Sequence, residues 1–285
     1  MKKLLLVISG VGFSLSALAA PVKIVAAENF YGELAHEIGG NNVAVTSIIS
    51  NPDADPHLFA TSPKTSQSLA QAQIIIYNGA DYDAWMEQML TTVNKNQVII
   101  INVADLMKIK TGANPHIWYQ PATFPTLAKV LADKIAQLEP ASKAETQKNL
   151  ASFLADNQQV AKQIATVKQH YQGTSVTATE PVFGYMAQAL GLNMKGEDFQ
   201  WKIMNDSEPT PKMVADYQSL LTNKQVKVMF YNNQVTDSLT GNMQKLARKN
   251  GIKVVGVSET MPKDTTINHW LTSEISATAT ALQGK

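Results

Sequence analysis

Short, nearly continuous apolar runs alternate with segments of helical spacing along most of this chain. Clear examples of the apolar runs are IIIY at 74–77 and VIII at 98–101. Strands that lack a polar face are typical of a parallel sheet that helices cover on both sides. The alternation therefore predicts an α/β fold.

One long stretch of helical spacing, without any proline, interrupts this alternation. Ser142 and Glu145 form the S-x-x-E pattern of a capping box at its start, and Gly173 lies just beyond its end. Its apolar residues recur at helical intervals: Leu150, Leu154, Val160, Ile164 and Val167. A helix of about 28 residues is about 42 Å long, enough to span two lobes.

The sequence thus predicts two lobes, each a mostly parallel β-sheet flanked by helices, joined by one long rigid backbone helix. The N-terminal lobe is predicted over 20–140, the linking helix over 141–171 and the C-terminal lobe over 172–285. Open α/β sheets bind ligands beyond the carboxyl ends of their strands. We therefore expect the binding site at the interface between the lobes.

The first nineteen residues have the features of a secretory signal peptide. Lys2 and Lys3 precede an apolar run, which ends in the small-residue triplet Ala-Leu-Ala at 17–19. Later stretches fall short of the roughly 18 apolar residues of a membrane span. Cysteine is absent, which excludes disulfides, thiolate metal ligands and a lipid-bearing cysteine at the cleavage site. We expect cleavage after Ala19 and a diffusible protein of the bacterial periplasm.

The charge balance of the mature chain is close to neutral. Without Lys2 and Lys3 it has 22 basic and 23 acidic side chains, a net charge of −1. This balance argues against nucleic acid or an anionic membrane as a partner. We expect a monomer.

Two of the five histidines occur in matching contexts, His57 in DPHLF and His116 in NPHIW. The preceding proline fixes the local backbone in both cases. A single histidine in a loop is most often only solvated or hydrogen-bonded, but the repeated context favours a function. The other histidines, His36, His170 and His269, lie in helical segments and are given no functional role.

Two carboxylates follow predicted strands of the second lobe, Glu180 after VTAT and Glu259 after VVGVS. Taken alone, Glu180 is explained equally well as a helix cap that interacts with the positive end of the helix. Together with His57 and His116, the two acids form a plausible set of ligands for a divalent ion that prefers nitrogen and oxygen donors. The intervals between the four are long and match no fixed motif.

The segments NPDADPHLFATSP, NPHIWYQP and GVSETMP, combined with the long helix, resemble a known receptor family. It is the periplasmic metal-binding receptors of ABC transporters, cluster A-I (cluster 9), which deliver zinc, manganese or iron(II) to a membrane permease. The resemblance covers essentially the whole mature chain. It implies a solute-binding protein that captures a divalent metal and docks on an ABC permease.

The resemblance also implies one metal ligand from each of four loops. These positions are His57, His116, Glu180 and Glu259. Glu180 begins the segment EPVFGY, where the family often has His-x-x-Phe-Gly-Tyr, and Glu259 is matched by a looser alignment. A third histidine and a His-rich loop, both common in zinc receptors, are missing. Because oxygen donors suit manganese and imidazole-rich sites suit zinc, Mn²⁺ is favoured slightly over Zn²⁺ as cargo, and Fe²⁺ is a further candidate.

Four more residues are candidates for a supporting role around these ligands. Asn233 and Gln234, at a predicted strand end, are expected to orient a ligand carboxylate, and Tyr185 and Trp118 to line the site. Each is equally well explained as a turn residue or as an aromatic side chain of the core.

Two other functions are compatible with an exported α/β protein. A periplasmic metallohydrolase would need an open metal position, and the sequence lacks H-E-x-x-H and G-x-S-x-G. A metal-dependent adhesin or a receptor for an organic solute is the second alternative, although the four tryptophans are spread along the chain. The sequence therefore predicts a binding protein and not an enzyme.

Overall fold

The computed structural model describes residues 20–53, 56–235 and 237–284, and it leaves the side chain of His57 undescribed. The predicted signal peptide, 1–19, lies outside the described residues. Within them the chain forms two four-stranded sheets, and all strand pairs are parallel. The predicted α/β architecture of two lobes is confirmed.

The two sheets are built in the same way. The first has the order β2-β1-β3-β4 and the second the order β6-β5-β7-β8. The strands are β1 Val22–Glu28, β2 Val43–Ile49, β3 Ile74–Tyr77, β4 Ile99–Asn102, β5 Ser175–Ala178, β6 Asn193–Lys195, β7 Val228–Asn232 and β8 Lys253–Val257. The topological switch point lies between β1 and β3 in the first sheet and between β5 and β7 in the second. Open α/β sheets bind ligands at such switch points.

Helices cover the sheets and connect their strands. They are α1 Asn29–Gly39, α2 Pro63–Gln71, α3 Ala84–Met89, α4 Val103–Met107, α5 Thr123–Leu138, α6 Lys143–Tyr171, α7 Gly184–Ala189, α8 Glu197–Met204, α9 Pro211–Thr222, α10 Ser238–Lys249 and α11 Ile267–Gln283. No helix in the described part of the chain is both long enough and apolar enough to cross a membrane.

The long linking helix is α6, with 29 residues. It is hydrogen-bonded to the first lobe by Asn149, whose Nδ2 donates to the carbonyl of Ile38 at 3.2 Å. It is hydrogen-bonded to α11 of the second lobe by Asn157, whose Nδ2 donates to Oδ1 of Asn268 at 2.8 Å. The helix thus joins both lobes by side chains as well as through the chain itself.

One apolar core runs through both lobes and α6. It includes Ile24 and Leu34 of the first lobe, Phe153 of α6, and Phe183 and Trp270 of the second lobe. Lobes that share a continuous apolar interface have little freedom to move relative to one another. This packing holds the strand ends of the two lobes at a fixed spacing.

Candidate metal centre

Side chains that follow the carboxyl ends of strands in both lobes meet at the lobe interface. Tyr82 follows β3 of the first lobe, and its hydroxyl donates to Oε2 of Glu259, which follows β8 of the second lobe, at 3.0 Å. The side chain of Asn29 and the backbone of Met261 exchange two hydrogen bonds next to this contact, at 2.8 and 3.0 Å. The strand ends of the two lobes thus form one site.

His116 is completely buried, in the loop between α4 and α5. Its Nδ1 lies 2.6 Å from Oδ1 of Asn114, and the Nδ2 of Asn114 donates to the carbonyl of Pro181 at 2.7 Å. Because Asn114 therefore presents its oxygen to the ring, Nδ1 carries the proton of the neutral imidazole. Nε2 then carries the lone pair that a metal ion requires, and it lies 3.7 Å from Oε1 of Glu259.

Glu180 follows β5 directly and is 4% exposed. It precedes a 3-10 turn over Pro181–Phe183, but its side chain makes no capping hydrogen bond there. Its Oε2 instead accepts a hydrogen bond from Nδ2 of Asn232 at 3.0 Å. Glu180 thus occupies the N-cap position of this turn, but its described hydrogen bond is to Asn232 and not to the turn.

Glu259 is completely buried and accepts hydrogen bonds on both carboxylate oxygens. Oε1 accepts from Nδ2 of Asn232 at 2.6 Å, and Oε2 accepts from Tyr82. Its backbone N–H donates to Oε1 of Gln234 at 3.0 Å. Donors from both lobes thus hold this carboxylate in one orientation.

A strained turn presents Tyr82 to the second lobe. Gly79, Ala80 and Asp81 have consecutive positive φ angles of 75°, 52° and 65°, a conformation that costs energy at the two residues that are not glycine. The Asp83 carboxylate holds the turn by accepting from the backbone N–H groups of Asn78 at 2.7 Å and of Gly79 at 2.8 Å. Strain of this kind persists where the surrounding structure fixes a functional group.

A second pair of acids, Glu28 and Asp83, is buried behind this turn. Burial raises the pKa of Glu28 well above its usual range, and the negative charge of Asp83 raises it further. Burial also raises the pKa of Asp83, to about 6, although the N–H groups of Gly79 and Asn78 act to lower it. Both carboxyl groups therefore hold their protons more tightly than exposed acids do.

The structure brings Glu180 and Glu259 together at Asn232 and places His116 beside Glu259. The fourth predicted ligand, His57, lies in a 3-10 turn over Pro56–Leu58, and its side chain is outside the described residues. Among the residues that are described, no group of three or more histidine, aspartate or glutamate side chains forms a complete metal-binding cluster. The role of the four residues as ligands stays a prediction.

Sequence reasoning missed the two donors that hold the carboxylates, Asn232 and Tyr82. It selected the residues next to Asn232. The side-chain Oε1 of Gln234 accepts the backbone N–H of Glu259, whereas Asn233 donates to the hydroxyl of Ser258 at 3.1 Å. The signal for Asn232 was its place at the end of an apolar strand, and the signal for Tyr82 was the glycine-containing turn NGADYD.

Of the predicted lining aromatics, Trp118 lies edge-on to the His116 ring, with centroids 5.2 Å apart. Tyr185 reaches the site's supporting loop, because its hydroxyl donates to the carbonyl of Asn114 at 2.8 Å. Neither side chain makes a hydrogen bond to the two carboxylates in the described structure.

The family model described as zinc-uptake complex component A, periplasmic, matches residues 24–281. The chain belongs to this family. Among its relatives, the manganese-binding lipoprotein MntA of Bacillus subtilis (strain 168) is 24% identical over 241 residues, 81% of this chain and 77% of the relative. The metal ABC transporter substrate-binding lipoprotein SloC of Streptococcus mutans is 24% identical over 247 residues, 81% of this chain and 78% of the relative.

Solved structures of the same fold match nearly the whole chain. The periplasmic zinc-binding protein TroA from Treponema pallidum has a TM-score of 0.78 at 15% identity, covering 93% of this chain and 99% of that one. FpvC from Pseudomonas aeruginosa, solved in complex with Mn²⁺, has a TM-score of 0.75 at 16% identity, covering 92% of this chain and 98% of that one.

Membership of the family makes the chain a solute-binding component of a metal-importing ABC transporter, and not an enzyme. The function predicted from the sequence is confirmed at this level. The metallohydrolase and adhesin alternatives gain no support from the family.

Proposed function

We propose that His57, His116, Glu180 and Glu259 together hold one divalent ion, with manganese favoured over zinc as the cargo and iron(II) a further candidate. The segment 1–19 directs export of the protein to the periplasm as a signal peptide. There the receptor binds the ion and delivers it to its membrane permease. Family membership identifies a metal receptor, and the proposal adds which residues bind the metal and which ion is bound.

The observation that carries the proposal is the convergence of an imidazole and two carboxylates at a buried place between the lobes. Nε2 of His116 lies 3.7 Å from Oε1 of Glu259, and one amide group contacts both Glu259 and Glu180. Carboxylates and an imidazole with its lone pair directed toward them form a mixed oxygen and nitrogen donor set. Manganese suits such a set, and a relative is named as a manganese-binding protein.

Metal-free protein, titrated with manganese and with zinc in turn, tests this proposal. We expect one ion per chain and a rise in thermal stability that grows with free metal, about 2.7 kcal/mol at 100 times Kd. Binding should weaken at acidic pH, because protons compete for the imidazoles and carboxylates.

Glu180→Ala should weaken manganese binding by more than the roughly 10- to 100-fold that is typical of losing an outer partner of a metal ligand. The matched control is Glu208→Ala, which removes an exposed glutamate of the same lobe and should bind as the wild type does. If neither metal stabilises the wild-type protein, the proposed function is wrong. If Glu180→Ala binds normally, Glu180 is not a ligand.

A further inference from the structure

We propose that Asn232 determines metal specificity at this site: its single amide group holds Glu180 and Glu259 together as a pair of oxygen donors and so favours manganese over zinc. The inference rests on the proposed function. It concerns a residue that is a positioning residue and not itself a ligand.

Asn232 is the last residue of β7 and is 3% exposed. Its Nδ2 donates to Oε2 of Glu180 at 3.0 Å and to Oε1 of Glu259 at 2.6 Å. Its Oδ1 accepts the backbone N–H of Gln234 at 3.0 Å. This last bond fixes the amide so that its N–H groups, and not its oxygen, face the two carboxylates.

A side-chain amide nitrogen has two N–H groups, and here each of them has a carboxylate as its partner. Two carboxylates that are buried side by side repel each other, and the repulsion is strong where water is excluded. A shared donor offsets this repulsion and sets the distance between the acids before the ion arrives. The carboxylate oxygens are therefore arranged in advance, which lowers the cost of ordering them on binding.

Tyr82 completes the arrangement from the opposite lobe. Its hydroxyl donates to Oε2 of Glu259 at 3.0 Å, while Asn232 donates to Oε1. Tyr82 donates to Glu259, whereas Asn232 donates to both Glu259 and Glu180 and so couples them. The spacing of the two acids thus depends on Asn232.

This spacing affects the two metals unequally. Zinc is satisfied by four ligands and binds imidazole nitrogen well, so two histidines and a single carboxylate oxygen supply most of what it needs. Manganese relies on carboxylate and other oxygen donors. Loss of the Asn232 amide, which holds both glutamates together, should therefore weaken manganese binding more than zinc binding.

The test compares Kd values for manganese and zinc in wild-type protein and in Asn232→Leu, which has nearly the same volume and no donor. We expect manganese affinity to fall by about 10- to 100-fold and zinc affinity by clearly less, so that the preference shifts toward zinc. Asn232→Gln, which keeps the amide, should restore part of the manganese preference. Asn223→Leu, the same change at an exposed asparagine at the C-terminal end of α9 in the same lobe, should leave both values unchanged.

If Asn232→Leu does not fold, Asn232→Ala replaces it, because a shorter side chain cannot clash. A ratio of manganese to zinc affinity within twofold of the wild-type ratio overturns the inference, even if both affinities fall, since an equal loss indicates a purely structural role. A wild-type protein that binds neither metal instead overturns the proposed function itself. The two failures are thus distinguishable.

Discussion

At the scale of single residues, the acids around the site differ in what surrounds them. Glu274 of α11 lies behind the Glu259 loop, where its Oε1 accepts from Nε1 of Trp270 at 3.0 Å and from the backbone N–H of Ser258 at 3.1 Å. Tyr119 donates to the carbonyl of the same serine at 2.7 Å. These three contacts fix the backbone immediately before Glu259.

Burial raises the pKa of Glu274 from 4.5 to about 7, although the nearby Tyr119 hydroxyl and the hydrogen bonds from Trp270 and Ser258 act to lower it. The folded protein therefore holds this proton more tightly than the unfolded chain does. By linkage, the stabilising contribution of the protonated carboxyl is complete below about pH 4.5 and is lost as pH rises through about 7. The loss amounts to about 3 kcal/mol.

Glu274→Gln should remove this dependence, because glutamine keeps an oxygen acceptor and carries no charge. We expect the free energy of unfolding of the variant, relative to wild type, to rise by about 3 kcal/mol between pH 4.5 and pH 8. Urea denaturation of the metal-free proteins at both pH values measures it. Parallel pH profiles for the two proteins would show that Glu274 is not the titrating group.

The sequence identified Glu180, Glu259 and His116 as neighbours in space, because each follows a strand or lies in a proline-fixed loop. It did not identify Asn232. Successive side chains of a strand point to opposite faces, so the choice among Asn232, Asn233 and Gln234 depends on where β7 ends. An apolar run in a sequence predicts a strand, but it does not fix the last residue of that strand to within one position.

At the scale of elements, the linking helix was predicted well in length and less well at its start. The predicted range 141–171 contains α6, and Gly173 beyond its end has a φ of +80°. The capping box was wrong. The hydroxyl of Ser142 donates to the carbonyl of Glu139, and Glu145 accepts a hydrogen bond from Asn42 of the first lobe. A tertiary contact thus replaced the local one that the pattern favours.

The short strand β6 is an element that the sequence did not reveal. It has three residues, at the edge of the second sheet, and begins with an exposed asparagine. Such a strand is held by its pairing with β5 at Ser175, Val176 and Thr177 and not by an apolar pattern of its own. Pattern reading finds the central strands because burial on both faces makes them apolar.

Because α6 is hydrogen-bonded to both lobes and belongs to the shared core, we expect little movement between the lobes when metal binds. The absence of cysteine in the chain allows spin labels at Gln67→Cys on α2 and Lys245→Cys on α10, both exposed positions. The mean distance between the labels should change by less than about 2 Å when manganese is added.

The control for this measurement replaces the exposed Gln158 and Gln159 of α6 with glycine, which weakens the helix between the lobes. The distribution of distances should become broader in that variant. A shift of many ångströms in the wild-type protein would show that the lobes close around a hinge.

At the scale of the whole molecule, two sheets with one strand order share one core and one binding site. The sequence predicts this architecture because its apolar strands and long helix are strong local signals. The site between the lobes depends on which strand ends meet across 177 residues of chain, as Tyr82 and Glu259 do. Strand-end positions suggested Glu180, Glu259 and His116 as candidates, and the resemblance to a receptor family grouped them, but neither predicted the contact of Tyr82 with Glu259.

The central claim is that one ion binds between the lobes, held by His57, His116, Glu180 and Glu259. Anomalous diffraction from crystals of manganese-loaded protein, collected on both sides of the manganese absorption edge, tests it most directly. We predict a single strong peak in contact with one nitrogen of each histidine and with oxygens of both glutamates. A peak elsewhere in the molecule, or one that either glutamate does not reach, would contradict the account.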